Sequence, residues 1–304
     1  MKIGLSGGAA TVDKMVEQAT RAEADGFSSL WYASAIGGDP LAAMALAGRA
    51  TSSIELGTSV LQTYTCHPAL QANRAASVVA AMDRPGFTLG IGPSHKPAVE
   101  GAFGMSYDHP GRHTEEYVTI LTTLLRGEGI DFDGEDLIFH VERVAKAPHP
   151  VPVLVSALGP RLLRVAGELT DGTILWMGNA RAIDVHVGPR IRAAAEAAGR
   201  PAPRIVAGLP VAVHDDVAEA RQAAAELFAN YGTLHNYRRI LDIGEADGPG
   251  DAAIVGDEAA VTAQLQALVD AGATDVWAAI FPVGADRTAS RARTRSLLTV
   301  LAST

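Results

Sequence analysis

The chain has 304 residues, 48% of them hydrophobic, and a formal net charge of -9. That length fits one barrel-sized domain or two smaller ones, and the acidic balance disfavours a nucleic-acid partner, because a phosphate backbone calls for a basic surface. The single cysteine, Cys66, excludes an internal disulfide framework and fits a reducing cytoplasm. No signal-peptide pattern opens the sequence, and no apolar run reaches the ~18 residues of a membrane span.

In chain order, residues 2–6 read as a short strand and residues 11–25 as a helix, with Val12, Met15, Val16 and Ala19 at helical spacing and Thr11 as its cap. Residues 28–32 form a second strand. A second helix covers 40–51, with Asp39 as cap and Pro40 in its first turn. The third strand is 54–60, followed by a helix over 68–82, at whose start His67 reads as a capping residue. Residues 86–92 form the fourth strand, and an irregular segment runs to about 109. A helix is predicted over 114–125. Residues 130–141 alternate and turn at Asp133-Gly134, which predicts a hairpin outside the main sheet.

The fifth strand is 151–156, with a helix over 160–169, and the sixth is 173–176. A helix over 182–198 stops at Gly199-Arg200-Pro201. Residues 204–213 make the seventh strand. Val217, Ala220, Ala224, Leu227 and Phe228 mark one helix, 234–243 a short one, and Val261, Leu265, Leu268 and Val269 another; a polar loop occupies 245–250. The eighth strand is 275–281, and 288–301 is the last helix. Strands alternate with helices and lack the in/out pattern of a half-exposed sheet, which suits burial on both faces. The fold class is therefore α/β: an eight-stranded (β/α)8 TIM-type barrel with insertion segments, residues 1–304 forming a single domain, with a doubly wound open sheet as the competitor.

Common chemistries leave little trace. No His-x-His or His-Glu-x-x-His run occurs, so no metal is assigned. Gly90-Ile91-Gly92-Pro93 lacks the third glycine of a dinucleotide fingerprint. Neither Gly-x-Ser-x-Gly nor a Walker phosphate loop is present. Cys66 lies beside His67, but neighbours on a strand point to opposite faces, and a small buried residue is the plainer reading.

Three stretches carry a resemblance: Gly57-Thr58-Ser59-Val60-Leu61 followed by His67-Pro68-Ala69; Pro85 through Gly92, read as PGFTLGIG; and Pro152 through Pro160, read as PVLVSALGP, continuing to Asp171-Gly172. Arg112 to Tyr117 and Ile254 to Asp257 add to it. In order and spacing they resemble the luciferase-like monooxygenase superfamily, and within it the branch of coenzyme F420-dependent oxidoreductases. The resemblance covers nearly the whole chain. It implies an α/β barrel that binds the deazaflavin F420, with FMN as the alternative. It also implies a cis peptide at Ser59-Val60, in a bulge that supports the cofactor ring.

By family position, the cofactor-binding residues are Gly57, Thr58, Ser59 and Val60; Gly92, Pro93 and Ser94; Ser156, Ala157, Leu158, Gly159 and Pro160; and Met177 and Gly178. A helix beginning near Pro160 offers backbone donors and a positive dipole end to a phosphate. Sugar-oxidising members carry an Asp-His pair after the second strand. Here the segment reads Trp31-Tyr32-Ala33-Ser34-Ala35, so that acid/base arrangement is missing. His95 and Tyr32 are the candidate catalytic proton donors, and Trp31, Tyr64 and Trp176 the candidate walls of a substrate pocket. The implied activity is hydride transfer between the deazaflavin C5 and a small organic substrate with an electron-poor C=C or C=O. An FMN-dependent monooxygenase, a non-catalytic F420-binding protein and an isomerase or aldolase barrel are the other readings. A homodimer is expected only by analogy with the family.

Overall fold

The computed structural model describes residues 1–9, 11–33 and 39–303. Ser34 and Ala35, part of the segment without an Asp-His pair, lie outside the described residues. Twelve strands are present among them: β1 (Ile3–Gly7), β2 (Ser29–Tyr32), β3 (Glu55–Thr58), β4 (Leu61–Gln62), β5 (Phe87–Gly92), β6 (Ile130–Asp133), β7 (Ile138–Val141), β8 (Val153–Val155), β9 (Gly172–Trp176), β10 (Arg204–Val213), β11 (Ile254–Gly256) and β12 (Asp275–Ile280). The sheet runs β10-β12-β1-β2-β3-β5-β8-β9, and β9 pairs back onto β10. All these pairings are parallel, so the eight staves close into a (β/α)8 barrel.

The eight expected strands are the eight staves. The third differs in detail: it is broken after Thr58, the Ser59–Val60 peptide is cis, and the chain resumes as β4, which pairs with the end of β5. β11 is an addition, pairing with the overhanging end of β10 from Val211 to Val213. The segment read as irregular contains a short helix, Lys96–Gly101, entered through His95. The next helix begins at Pro110, a turn earlier than expected, since proline suits the first helical turn. The hairpin of β6 and β7 is antiparallel and off the barrel, as its alternation predicts. Thr11, Asp39 and His67 each cap the helix they precede through a side-chain acceptor.

The barrel interior is filled in layers. At the N-terminal ends of the strands, Arg204 donates to Glu55 Oε1 and to Asp275 Oδ1, each at 2.9 Å, and Thr88 donates to Glu55. Above this polar plug lie Trp31, Leu154, Ile174, Val206 and Trp277. Two indoles fit inside because glycines face them. A Cβ on Gly57 would stand 2.2 Å from Trp31 Cζ3, and one on Gly208 would stand 2.0 Å from Trp277 Cε2. The Trp31 indole N–H donates to Ser29 Oγ at 2.8 Å. Since this interior is packed, any ligand must sit at the C-terminal rim. Among the described residues no helix is long and apolar enough to cross a membrane.

Candidate active site

The rim holds a cleft of about 250 Å³. Val60, Gly92, Pro93, Ser94 and His95 line it from the ends of β4 and β5, and Ser156, Leu158, Gly159 and Pro160 from the end of β8. Three loops far apart in sequence are thus brought to one cavity. The narrow approach depends on small residues: a Cβ on Gly92 would lie 3.0 Å from Val60 Cγ2 and 3.1 Å from Ser156 Cβ. Ser94 adopts a left-handed backbone, φ 62°, and Tyr107 donates its hydroxyl hydrogen to the Ser94 carbonyl at 2.8 Å.

The end of the cleft at β8 presents backbone donors and positive charge. The helix Pro160–Leu169 starts at Gly159 with no side-chain cap. Among the described residues, no acceptor takes the backbone N–H of Leu158 or Gly159. Gly159 is half-buried and Pro160 exposed, so the helix start is open to solvent or to a ligand. Arg239, from the helix His235–Ile243, brings Nη1 to 3.2 Å from where a Gly159 Cβ would stand. Its Nη2 lies 3.2 Å from His235 Nε2, and among the described residues no carboxylate pairs with it. Arg161, also on the wall, is committed to Glu115 at 2.9 Å. Helix dipole, open N–H groups and an uncompensated guanidinium together fit a phosphate.

Aromatic rings gather next to the cleft; His95, Tyr107 and Tyr237 line it, while Tyr64 and Trp176 stand behind them, outside its lining. His95 and Tyr237 lie 5.3 Å apart, and Tyr237 meets Tyr231 edge-on at 4.9 Å. Tyr231 in turn meets Trp176, which stacks on Trp277 at 5.2 Å. Tyr64 stacks on His113 at 4.1 Å and stands 5.5 Å from Tyr107. Burial pushes the His95 and His113 imidazoles below their ordinary value, so both are neutral at neutral pH. Burial, with Asp136 and Asp108 nearby, pushes the Tyr64 phenol up to about 12.

Several expected site residues stand elsewhere. Tyr32 requires a correction: it is buried and turned out of the barrel, and its hydroxyl donates to the Met15 carbonyl at 2.9 Å. Adjacent strand residues face opposite ways, so the inward Trp31 sends Tyr32 outward. Trp31 itself is enclosed in the floor below the cleft. Gly57 packs against that indole rather than lining the cleft. Thr58 latches β3 to β5, with Oγ1 donating to Gly90 O at 2.7 Å and accepting from Gly90 N at 2.8 Å. Ser59 N–H donates to Tyr32 O. Ala157 is buried and donates to Thr173 Oγ1 at 3.3 Å. Met177, with φ 65°, is buried in the shell, and Gly178 faces Leu175 and Ile240. Trp176 and Tyr64 belong to the aromatic groups just described.

Tyr107, Asn236, Tyr237 and Arg239 complete the cleft without having been singled out in the sequence. Tyr107 lies in the loop before Pro110, and the helix that carries the other three has no local motif. The sequence marks residues 234–243 as a short helix in the long connection between β10 and β12, with nothing that ties it to a site. On the off-barrel hairpin, ligand atoms of Asp131, Asp133 and His140 come within 4.8 Å of one another, all exposed.

The family described as luciferase-like monooxygenase matches residues 2–275. A 5,10-methylenetetrahydromethanopterin reductase of Methanolobus tindarius is 29% identical over 214 residues, covering 69% of this chain and 65% of that protein. The chain thus spans just under two thirds of that relative's length. The solved coenzyme F420 dependent tetrahydromethanopterin reductase from Methanopyrus kandleri superposes with a TM-score of 0.75 at 20% identity, over 99% of this chain and 97% of that one. An oxygenating component of a type II Baeyer-Villiger monooxygenase from Pseudomonas putida, in complex with FMN, gives 0.73 at 18% identity, over 99% and 97%. At such identities these two structures speak for the shared barrel. The match across residues 2–275, on a barrel with its cleft at the C-terminal rim, makes this chain a member of the luciferase-like monooxygenase family.

Proposed function

We propose that this chain is an oxidoreductase that binds coenzyme F420 in the rim cleft and acts on a small organic substrate. One observation carries the reading. A single cavity joins an apolar shelf at Val60 and Gly92 to an uncapped helix start with Gly159 and Arg239. That arrangement suits a flat ring system linked to a phosphate. Val60, Gly92 and Pro93 would hold the ring. The N–H groups of Leu158 and Gly159, with Arg239, would hold the phosphate. When bound, the deazaflavin supplies a hydride donor or acceptor at its C5.

His95 lines the same cavity, and imidazole is the side chain whose unperturbed pKa lies near neutrality, here lowered by burial. It would exchange a proton with the substrate oxygen or carbon. Tyr64 and Trp176 would wall the substrate, an electron-poor C=C or C=O compound. The net charge of -9 and single cysteine suit a cytoplasmic enzyme of small molecules; a homodimer is compatible with it. Side-by-side titration with F420 and FMN tests the reading, with micromolar or tighter F420 binding expected. Tight FMN binding with none of F420 would transfer the chain to the FMN-dependent monooxygenase reading. F420 binding without turnover on a broad substrate panel would leave a carrier protein.

A further inference from the structure

The phosphate end of the cleft is held from behind by one segment that does not touch the cleft. After β9 the chain enters a helical turn at Asn179, and residues Ile183–Val187 form a π-helical turn before the helix Gly188–Ala197. Such turns are rare and occur often at functional sites. His186 sits in this turn, 6% exposed, with Nε2 3.0 Å from the Leu158 carbonyl oxygen. A carbonyl only accepts, so Nε2 carries the hydrogen and donates it. At the other end of the segment, Asn179 Oδ1 accepts from Ala182 N at 3.0 Å, and Asn179 Nδ2 donates to Gly244 O at 2.9 Å. Gly244 closes the helix that carries Arg239.

The peptide between Leu158 and Gly159 is planar, and none of its neighbours is cis, so its C=O and N–H point in opposite directions. Anchoring the Leu158 carbonyl toward His186, on the shell side, turns the Gly159 N–H toward the cleft that Gly159 lines. We propose that His186 is a positioning residue. Its Nε2–H fixes the Leu158–Gly159 peptide so that the Gly159 N–H is presented to a phosphate, while Asn179 registers the Arg239 helix against the same loop. The inference rests on the phosphate reading of the cleft given above. Burial keeps the His186 imidazole below its ordinary value, so the neutral tautomer required for a single Nε2–H donor prevails at neutral pH.

The test compares His186→Leu, which removes the donor, with His186→Gln, whose side-chain amide restores an N–H. Each full-length variant is titrated with F420 and with the same deazaflavin ribitol lacking its phosphate. We expect His186→Leu to weaken F420 binding ~10-fold, the range for a lost hydrogen bond to a charged group, while binding of the phosphate-free compound holds. His186→Gln should recover most of the loss. If both variants bind F420 as the native chain does, or lose both ligands equally, the positioning role is overturned. If the native chain itself shows no preference for the phosphate-bearing ligand, the phosphate reading falls first, and this inference with it. A second measurement needs no variant: inorganic phosphate added to the native protein should shift the Gly159 amide proton resonance downfield. An unmoved Gly159 signal under saturating phosphate overturns the proposal even where the variants do not fold.

Discussion

Gly57 separates a packing role from a ligand role most sharply, through the substitution Gly57→Ala. The new Cβ would lie 2.2, 2.3 and 2.9 Å from three ring carbons of Trp31. Ordinary carbon contacts need about 3.5–4.0 Å, so the indole must withdraw by more than an ångström. It has nowhere to go. Trp31 is 0% exposed and boxed in by Leu154, Ile174, Val206 and Trp277. Moving it also strains the bond from its indole N–H to Ser29 Oγ. Overpacking costs ~1–3 kcal/mol and a lost buried hydrogen bond ~1 kcal/mol more, so about 3 kcal/mol is expected. For a chain of 304 residues, the unfolding entropy converts that into a fall in Tm of roughly 5 °C. Urea unfolding followed by circular dichroism reads the difference. The double variant with Trp31→Leu, which makes room, should recover part of it relative to Trp31→Leu alone. A Gly57→Ala chain within ~0.5 kcal/mol of native stability, with cofactor binding abolished, would show that Gly57 serves the ligand rather than the indole.

Other outcomes are expected. Arg239→Ala should weaken F420 binding ~10-fold, while Arg161→Ala, whose guanidinium is already held by Glu115, should change it little; equal effects in fluorescence titrations would remove Arg239 from the phosphate site. Tyr32→Phe should leave turnover unchanged and cost ~1 kcal/mol of stability through the lost bond to Met15 O; a collapse of kcat in a folded variant would return Tyr32 to the reaction. Burial lowers the His95 pKa, so the protonated acid is scarce at neutral pH. Substrate reduction limited by His95 as acid should accelerate as pH falls below about 6.5, and His95→Gln should flatten that profile. His95, His113 and His186 all titrate below their unfolded value. Their contribution to stability is therefore complete above the unfolded pKa and lost as pH falls through the folded values. Urea midpoints should drop from pH 7 to 5 with net proton uptake on unfolding, and a flat profile would contradict the burial of these rings.

Much of the barrel was legible because its signals are local. Strand after strand was an apolar run bounded by a turn or a cap, and Thr11, Asp39 and His67 stand where backbone N–H groups at a helix start need an acceptor. The cleft was half legible. Val60, Gly92 to His95 and Ser156 to Pro160 lie at strand ends in chain order, where an α/β barrel keeps its open backbone. The other half comes from Tyr107, in an irregular loop without a repeating pattern, and from Tyr237 and Arg239, on a helix whose periodicity shows which face is buried but not what that face meets.

The sequence by itself determined the alternation of strands and helices, the order of the rim loops and the glycines that bring backbone close to backbone. Only the tertiary structure decided which way each side chain turned. Trp31 and Tyr32 are neighbours of similar character, yet one floors the cleft and the other is tied to Met15. Inside or outside depends on strand register and barrel closure, which bring together residues as distant as Glu55 and Arg204. The cradle has the same origin: Gly159, His186 and Arg239 meet only because β8, β9 and β10 pair side by side and carry their following loops to one edge.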